Sequence, residues 1–288
     1  MNLEISKFIP KKINLTFRYF KNTKHFLNFN NPKRFTEKLQ LYKLENAFPL
    51  MSKCHDKYTV HEYIKEKGYE NILVPIYQVV EHSSELDFDS LPDKFVMKTT
   101  NSGNTNIFCY DKGTFDWEAA CKKLDSWAQI DVVKQTLQYS LSAKAHIIVE
   151  KMLQRDADND LIDYRMFCFN GKVFCTCVTT DYVDCHENGR MGFMDRDWNL
   201  MPYTRKEYKP LKRTPEKPKN YEKMIEIAES LSAPFPHCRV DLYNVDGNIN
   251  FGEMTFITMG GFCGFTPDEF DFILGKKFDY YGKKKRNN

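Results

Sequence analysis

The sequence predicts a mixed α+β fold built from antiparallel β-hairpins and amphipathic helices. Asn170-Gly171 and Asp246-Gly247 each lie between alternating apolar segments, a pattern typical of tight hairpin turns. Apolar residues recur at helical spacing in several segments, most clearly over 56–68. Strands and helices do not alternate regularly, and the G-x-G-x-x-G and Walker A motifs are both absent from the sequence. A parallel βαβ nucleotide-binding fold is therefore not expected.

Helices are predicted to dominate the first part of the chain. A basic, aromatic-rich helix and turn occupy 13–30, and a second helix begins near Thr36, where a threonine can cap it. The amphipathic helix over 56–68 ends at Gly68, a residue that suits the C-terminal cap. Residues 72–81 read as a strand with a proline interruption.

Strands and hairpins are predicted to dominate the remainder. Polar–apolar alternation and β-branched residues predict the strands, whereas helical spacing predicts the helices. Prolines and charges predict irregular chain over 183–218. The segments are a strand over 94–100, a small polar loop over 100–106, a helix over 115–129, a strand over 146–153, a loop over 154–161, a hairpin over 163–182, a helix over 220–232 and a hairpin from Cys238 to Thr255.

Length and composition exclude several classes of protein. The chain has 288 residues, of which 42% are hydrophobic, enough for one large domain or two intimate ones. A net charge of +3 argues against a nucleic-acid partner. No apolar segment reaches the roughly 18 residues of a membrane span, and no signal-peptide core is visible, so a cytoplasmic location is expected.

Basic residues are concentrated at the two ends of the chain. They are typical of solvated termini, but they could also contact an anionic glycan, a phosphate-rich substrate or, peripherally, a membrane surface. They are Lys7, Lys11, Lys12, Arg18, Lys21, Lys24, Lys33 and Arg34 near the start, and the segment "GKKKRNN" at the end.

The cysteines indicate reduced thiols rather than a disulfide framework. There are nine of them, an odd number, and none forms a C-x-x-C pair. Cys175, Cys177, Cys185 and His186 offer an alternative zinc site, although C-x-C is not the usual finger spacing.

The hairpin from Cys238 to Thr255 carries three charges inside half-buried strands. A two-residue turn at Asp246-Gly247 would point Asp241 and Glu253 to opposite faces. A three-residue turn that includes Val245 would place Arg239 opposite Glu253, with Asp241 diagonal on the same face. In that register Tyr243, Ile249 and Phe251 lie beside the charges.

Two carboxylates on one face repel unless a cation lies between them. Mg²⁺ accepts hard oxygen ligands and commonly takes one or two carboxylates together with substrate phosphates. An arginine beside such a site can hold a phosphate or a developing negative charge. The hairpin therefore fits either a magnesium site or a salt-bridged ribbon on an exposed sheet face.

The segment "RVDLYNVDGNINFGEMT" followed by glycines resembles the metal-binding end of the ATP-grasp superfamily, where R-x-D, a hairpin turn, E-x-N and a glycine turn follow one another. The resemblance implies that Asp241 and Glu253 are Mg²⁺ ligands and that Arg239 faces the transferred phosphate and the tetrahedral intermediate. Thr255 stands where the family usually has asparagine, and its hydroxyl would ligate the metal or hold a water.

Further segments resemble the superfamily in the expected order. Lys98 resembles its phosphate-contacting lysine, followed by a small-residue loop that contains Ser102 and Gly103 and would close over the phosphates. Lys57 resembles an earlier lysine at the start of a helix, and Arg165 an arginine of several amide ligases; both would bind ATP. The segment "VEKML" resembles the adenine-binding hinge, in which Glu150 faces the adenine amino group, the Lys151 carbonyl and the Leu153 N–H contact the ring edge, and Met152 forms an apolar wall.

The closer resemblance is to the TupA-like branch, which is linked to bacterial capsule and teichuronopeptide synthesis. "NPKRFTEKLQLYKL", "DKYTVHEYIKEKG" and "LPDKFVMKTTNSG" carry it. It implies two α+β subdomains that grip the nucleotide and an N-terminal helical portion. The expected division is a helical portion over 1–90, a lid over 91–150 and a C-terminal subdomain with the metal site over 151–288.

The resemblance implies an ATP- and Mg²⁺-dependent carboxylate–amine ligase that acts through an acyl phosphate. Arg239, Lys98 and Arg165 are its expected catalytic residues, and its partners would be a carboxylate sugar or glycan precursor and an amino acid or amino alcohol. Three alternatives stay open: a glycosyltransferase using a D-x-D motif, a sugar kinase and a non-catalytic glycan-binding scaffold. The D-x-D matches are 87–89, 156–158 and 195–197.

Overall fold

Two β-sheets form the framework of the protein, and helices pack around them. A computed structural model of the chain describes residues 11–44, 50–132, 136, 144–153, 161–180 and 189–279. The helices of these ranges are α1 Lys11–Thr23, α2 Phe35–Leu44, α3 Leu50–His55, α4 Val60–Glu66, α5 Trp117–Ala128, α6 Tyr221–Ser232 and α7 Glu269–Lys277. The mixed α+β class predicted from the sequence is confirmed.

The described ranges contain thirteen strands, of which seven lie in segments predicted as strands or hairpins. The thirteen are β1 Ile76–Val80, β2 Phe95–Thr99, β3 Asn106–Cys109, β4 Ile147–Lys151, β5 Asp163–Phe169, β6 Lys172–Thr180, β7 Arg190–Asp195, β8 Leu200–Met201, β9 Thr204–Arg205, β10 Lys209–Pro210, β11 His237–Val245, β12 Asn248–Thr255 and β13 Phe265–Thr266.

Strands β1, β4, β2 and β3 lie side by side in an antiparallel four-stranded sheet. Alternation along β2 divides the sheet into an apolar and a polar face. Phe95 and Met97 are buried in a core that includes Leu124 of α5. Lys98 lies on the opposite face, where it pairs with Glu150 of β4.

The larger sheet has seven strands, in the order β10-β7-β6-β5-β11-β12 with β8 on β7. Helix α6 covers one face, where Ala228 and Leu231 share a core with Met166 and Val240. Helices α2 and α7 cover part of the other face, where the Phe35 ring packs edge-on to His237 at 4.9 Å between centroids. The rest of that face carries the charged residues of the hairpin.

The irregular structure expected over 183–218 is wrong for part of that segment. The segment 183–218 is not irregular throughout, because β7 pairs along its length with β6 and buries Met191 and Phe193 completely. Burial of these alternate side chains outweighs the flanking prolines and charges that suggested a loop. Helices α3 and α7 were not foreseen. The loop expected over 154–161 falls almost entirely outside the described residues.

The expected division of the chain into three parts stays a prediction. Strand β1 pairs with β4, so the four-stranded sheet takes strands from both sides of the boundary expected at residue 90. In the described part of the chain no helix is long and apolar enough to cross a membrane. The eight cysteines of these ranges are all unbridged, and seven of them are buried.

Candidate active site

The charged hairpin of β11 and β12 has a different turn from the one predicted. Asp246 and Gly247 form a two-residue turn with φ values of 53° and 91°, and Val245 pairs directly with Asn248. Positive φ at both positions is what a type I′ hairpin turn requires. The three-residue turn is therefore wrong.

A β-bulge brings the two carboxylates to one face in spite of the short turn. Asp241 pairs with Glu253, and Gly252 is the extra residue of the bulge. A Cβ on Gly252 would lie 3.1 Å from the Asp241 carbonyl oxygen and 3.2 Å from Tyr243 Cε2, so the position suits glycine. Without the bulge, Glu253 would pair with Val240 and point to the opposite face.

The two-residue turn and the bulge together change the neighbours that were expected. Arg239 lies opposite Thr255, not opposite Glu253. Ile249 and Phe251 belong to the apolar face and pack in the core, not beside the charges. The hairpin thus separates an apolar face under α6 from a polar one, called the charged face below.

Arg239 is the centre of the charged face. Its guanidinium donates to both oxygens of Asp241, from Nε to Oδ1 at 2.7 Å and from Nη2 to Oδ2 at 2.6 Å. Nη2 also lies 2.9 Å from Glu253 Oε1 and 3.1 Å from Thr255 Oγ1. The Thr255 hydroxyl donates to Glu253 at 2.8 Å. One arginine therefore holds all three residues that were expected to bind metal.

Arg165 extends the charged face onto the neighbouring strand. It lies opposite Asp241 in the β5–β11 pairing. Its Nε donates to Asp163 Oδ2 at 2.7 Å, and its Nη1 donates to Thr179 at 3.2 Å. The other oxygen of Asp163, Oδ1, is buried without a hydrogen-bond partner among the described residues. Asp163 was missed in the sequence, because its place beside Asp241 depends on the strand order.

Electrostatics differ between the two carboxylates of the hairpin. Burial raises the pKa of Asp241 to about 7, against the attraction of Arg239 and with Asp163 and Glu253 adding to the rise. Burial acts in the same sense on Glu253, but Arg239 and Lys57 outweigh it and hold the pKa of Glu253 at about 2. The pKa of Asp241 is therefore raised chiefly by burial, whereas neighbouring cations lower that of Glu253.

The four-stranded sheet contributes Lys98 and Glu150. They lie on adjacent strands at diagonal positions and form an ion pair, with side chains 20% and 14% exposed. At the end of β4, the Lys151 N–H donates to the Pro75 carbonyl at 2.9 Å. Met152 and Leu153 follow, half-buried. The nucleotide contacts expected of these residues stay predictions.

A small-residue loop joins β2 to β3 beside this ion pair. Hydroxyl groups hold it closed: Thr99 Oγ1 lies 2.8 Å from Thr105 Oγ1 and 3.0 Å from Ser102 Oγ. Gly103 sits at its open tip, where nothing lies within 4 Å of the place a Cβ would take. Asn101 is buried, yet neither atom of its amide has a partner in the described part of the chain.

Lys57 connects the loop to the charged face. Its Nζ donates to the Ser102 carbonyl at 2.5 Å, and its backbone N–H donates to the Thr100 carbonyl at 3.1 Å. Burial lowers the pKa of Lys57, and Lys98 lowers it further, whereas Glu253 raises it. Charged residues of both sheets therefore shift the pKa of Lys57.

His55, two residues before Lys57, was not expected at the site. Burial, followed by Lys57, lowers the pKa of His55 to about 4, so the ring is neutral near pH 7. The backbone of Met254, which lies between Glu253 and Thr255, acts in the opposite sense on this pKa. The Nδ1 of His55 is buried without a partner among the described residues. No local sequence signal marks this role, because α3 meets β12 only in the fold.

The carboxylates of the charged face suit a magnesium ion, although they do not form a complete set of metal ligands by themselves. Within the described ranges no group of three or more His, Cys, Asp or Glu is arranged to hold a metal. Asp241 and Glu253 instead form a directly opposed pair, with the unpartnered oxygen of Asp163 nearby. One or two carboxylates with substrate phosphates are the usual Mg²⁺ ligands. Asp241 and Glu253 could therefore hold the ion.

The motifs behind the alternative functions lie in turns or outside the described residues. Asp195 accepts from the backbone N–H groups of Asp197 and Asn199 at 2.9 and 2.8 Å. Asp87 accepts from the N–H of Asp89 at 3.2 Å. Both carboxylates thus cap tight turns. The match over 156–158 and two residues of the zinc alternative, Cys185 and His186, lie beyond the described ranges.

Lys57, in the turn between α3 and α4, thus links the β2–β3 loop of the four-stranded sheet with the charged face of the seven-stranded sheet. The chain matches the family model "TupA-like ATPgrasp" over residues 37–279. It therefore belongs to the TupA-like ATP-grasp family.

Solved structures of ligases are similar to the chain at low identity. D-alanine–D-alanine ligase from Bacillus anthracis complexed with ATP has 12% identity and a TM-score of 0.47, over 81% of this chain and 67% of that one. L-amino acid ligase from Bacillus licheniformis has 14% identity and a TM-score of 0.45, over 79% of this chain and 50% of that one. The chain thus spans half to two thirds of these proteins. A comparison with curated proteins found no match.

Proposed function

We propose that the protein is an ATP- and Mg²⁺-dependent carboxylate–amine ligase that forms an amide through an acyl phosphate. The observation that supports this most is the position of Lys57. It contacts the small-residue loop of one sheet and interacts with Glu253 on the charged face of the other. Basic groups suited to phosphates and paired carboxylates suited to a metal therefore lie around Lys57, as phosphoryl transfer requires.

The reaction has two steps. A carboxylate oxygen of the substrate attacks the γ-phosphorus of ATP, the bond to the bridging oxygen breaks, and ADP leaves. The amine then attacks the acyl carbon, inorganic phosphate departs, and the amine loses one proton. Arg239 stabilises the negative charge that develops on the tetrahedral oxygen, while Lys57, Lys98 and Arg165 orient the phosphates.

Asp241 and Glu253 would hold a magnesium ion, which would offset the negative charge of the phosphates. Thr255 fixes the Glu253 carboxylate through its hydroxyl, a role that does not require it to bind the metal. Glu150 and the segment from Lys151 to Leu153 bind the adenine ring once the Lys98–Glu150 ion pair opens. Ser102 and Gly103 offer backbone N–H groups to the phosphates.

The substrate class follows from the family alone. We assign the carboxylate to a uronic acid or another glycan precursor, and the amine to an amino acid or amino alcohol, in the cytoplasmic assembly of a bacterial surface polysaccharide such as capsule.

Release of ADP in a coupled assay tests the proposal. The protein is incubated with Mg²⁺, ATP, a panel of uronic acids and a panel of amines. We expect ADP release that requires both a carboxylate and an amine, and an amide product by mass spectrometry. ADP release that requires only a sugar hydroxyl would show that the protein is a kinase and not a ligase. Transfer of sugar from a UDP-sugar without ATP would show that the protein is a glycosyltransferase.

A further inference from the structure

Helix α1 carries two apolar stripes, and only one of them packs into the protein. Leu15 and Tyr19 are fully buried. Ile13, Phe17 and Phe20, at i, i+4 and i+7, are 60, 54 and 40% exposed. Since each residue turns a helix by about 100°, Phe17 points roughly 160° away from Leu15 and from Tyr19. The second stripe therefore faces outward.

A further ring enlarges the outward stripe. Phe26 is 80% exposed, and its ring stacks on Phe20 at 4.9 Å between centroids. Ile13, Phe17, Phe20 and Phe26 together are called the α1 apolar surface. Scattered exposed apolar residues are ordinary, but a contiguous group on one helix face marks a contact with something outside the molecule.

The segment of the chain that carries this surface is basic, and Asp268 of a distant segment pairs with its His25 and Arg34. The sequence contains no Asp or Glu between Glu4 and Glu37, but eight lysines and arginines. Of these, Lys12, Lys21 and Lys24 are exposed on or just after α1. A large apolar stripe with a basic rim is the pattern of helices that lie in the interface of an anionic bilayer.

A polar groove opens beside the α1 apolar surface. It has a volume of about 870 Å³ and is lined by residues that include Phe26, Lys12 and Lys33. Phe26 therefore belongs to both features, and two lysines line the groove next to it. Negatively charged headgroups would meet these lysines while the rings enter the acyl boundary.

We propose that the α1 apolar surface docks the protein on an anionic lipid bilayer, with Phe17 and Phe26 inserted and Lys12, Lys21 and Lys24 on the headgroups. The rings contribute burial of apolar area, and the lysines contribute attraction to the surface potential. This docking does not depend on nucleotide binding.

Flotation with vesicles tests the docking. The full chain is mixed with vesicles of phosphatidylcholine alone, or with about 30% phosphatidylglycerol, a content that gives the surface a negative potential. We expect flotation only with the anionic vesicles and a decline as salt is added. Phe17→Ser combined with Phe26→Ser should weaken binding at least about tenfold, since two large side chains lose their burial. Lys12→Glu combined with Lys21→Glu should do the same.

Matched variants elsewhere separate docking from general surface effects. Leu200 is an exposed apolar residue at 43%, and Lys122 and Lys123 are exposed on α5. Leu200→Ser and Lys122→Glu with Lys123→Glu should float like the parent. Failure of the parent to float with anionic vesicles would overturn the proposal, as would flotation of the phenylalanine variant at the parent level. A dimer in sedimentation that Phe17→Ser abolishes, without vesicle binding, would instead make this surface a protein interface.

Discussion

Replacing Arg239 with methionine is expected to lower kcat/KM of the ligase reaction at least about 10³-fold. The guanidinium binds Asp241 at two oxygens and also reaches Glu253 and Thr255. Its loss removes the group that stabilises the developing oxyanion and releases the carboxylates from their positions. Steady-state ADP release at saturating Mg²⁺ measures the effect.

Two controls distinguish catalysis from folding. Removing one partner of a buried ion pair costs about 3–5 kcal/mol of stability, so the folded fraction of Arg239→Met is measured by circular dichroism before each assay. Arg239→Lys keeps the charge but loses the two-pronged geometry, and should also be strongly impaired. Arg196→Met removes an arginine that pairs with Glu229 and should keep activity within about twofold, as surface pairs contribute little. Normal activity of a folded Arg239→Met would contradict the role given to Arg239.

Gly275→Val is expected to lower the free energy of unfolding by about 3–5 kcal/mol, at the upper end for a point substitution. A Cβ at Gly275 would lie 2.1 Å from the Lys33 carbonyl oxygen and 2.9 Å from the Phe35 backbone nitrogen. These are backbone atoms that cannot rotate away, so α7 must separate from the start of α2. That separation also strains the hydrogen bonds from Thr36 to Asp271, at 2.9 and 2.7 Å.

Urea unfolding followed by circular dichroism checks this expectation. Lys276→Val, at the next residue, places the same side chain on an exposed position of α7. It should change the free energy of unfolding by less than about 1 kcal/mol, the scale of helix propensity. Equal midpoints for Gly275→Val and the parent would mean that α7 does not lie against residues 33–35.

The elements that depend on local patterns could be predicted from the sequence. Asn170-Gly171 predicts its hairpin because the turn needs positive φ at both residues, and the structure has 52° and 74° there. The helices within 56–68 and near Thr36 follow from their spacing. The cap expected at Thr36 is wrong, because the helix begins at Phe35 and the Thr36 hydroxyl donates to Asp271. Strand β7 was missed, because its three buried side chains, Met191, Phe193 and Met194, lie in a segment rich in charges and prolines.

The charged face shows where sequence reasoning stops. The types of residue in "RVD" and "GEMT" predict a carboxylate and arginine cluster, but their pairing depends on the bulge at Gly252, which no turn rule encodes. Asp163 and His55 reach the cluster only because β5 lies beside β11 and α3 packs on β12. Contacts between segments that are distant in the sequence produce no periodic pattern from which they could be predicted.

Isothermal titration of Mg·ATP tests the central claim most directly, since it needs no knowledge of the carboxylate or amine. We expect saturable binding by the parent that disappears when EDTA removes the metal. Asp241→Asn with Glu253→Gln should lose at least about tenfold in affinity, because the metal would lose both carboxylates. Glu226→Gln, an exposed carboxylate on α6, should bind like the parent. Equal affinity of the double variant and the parent would contradict a magnesium–nucleotide site on the charged face.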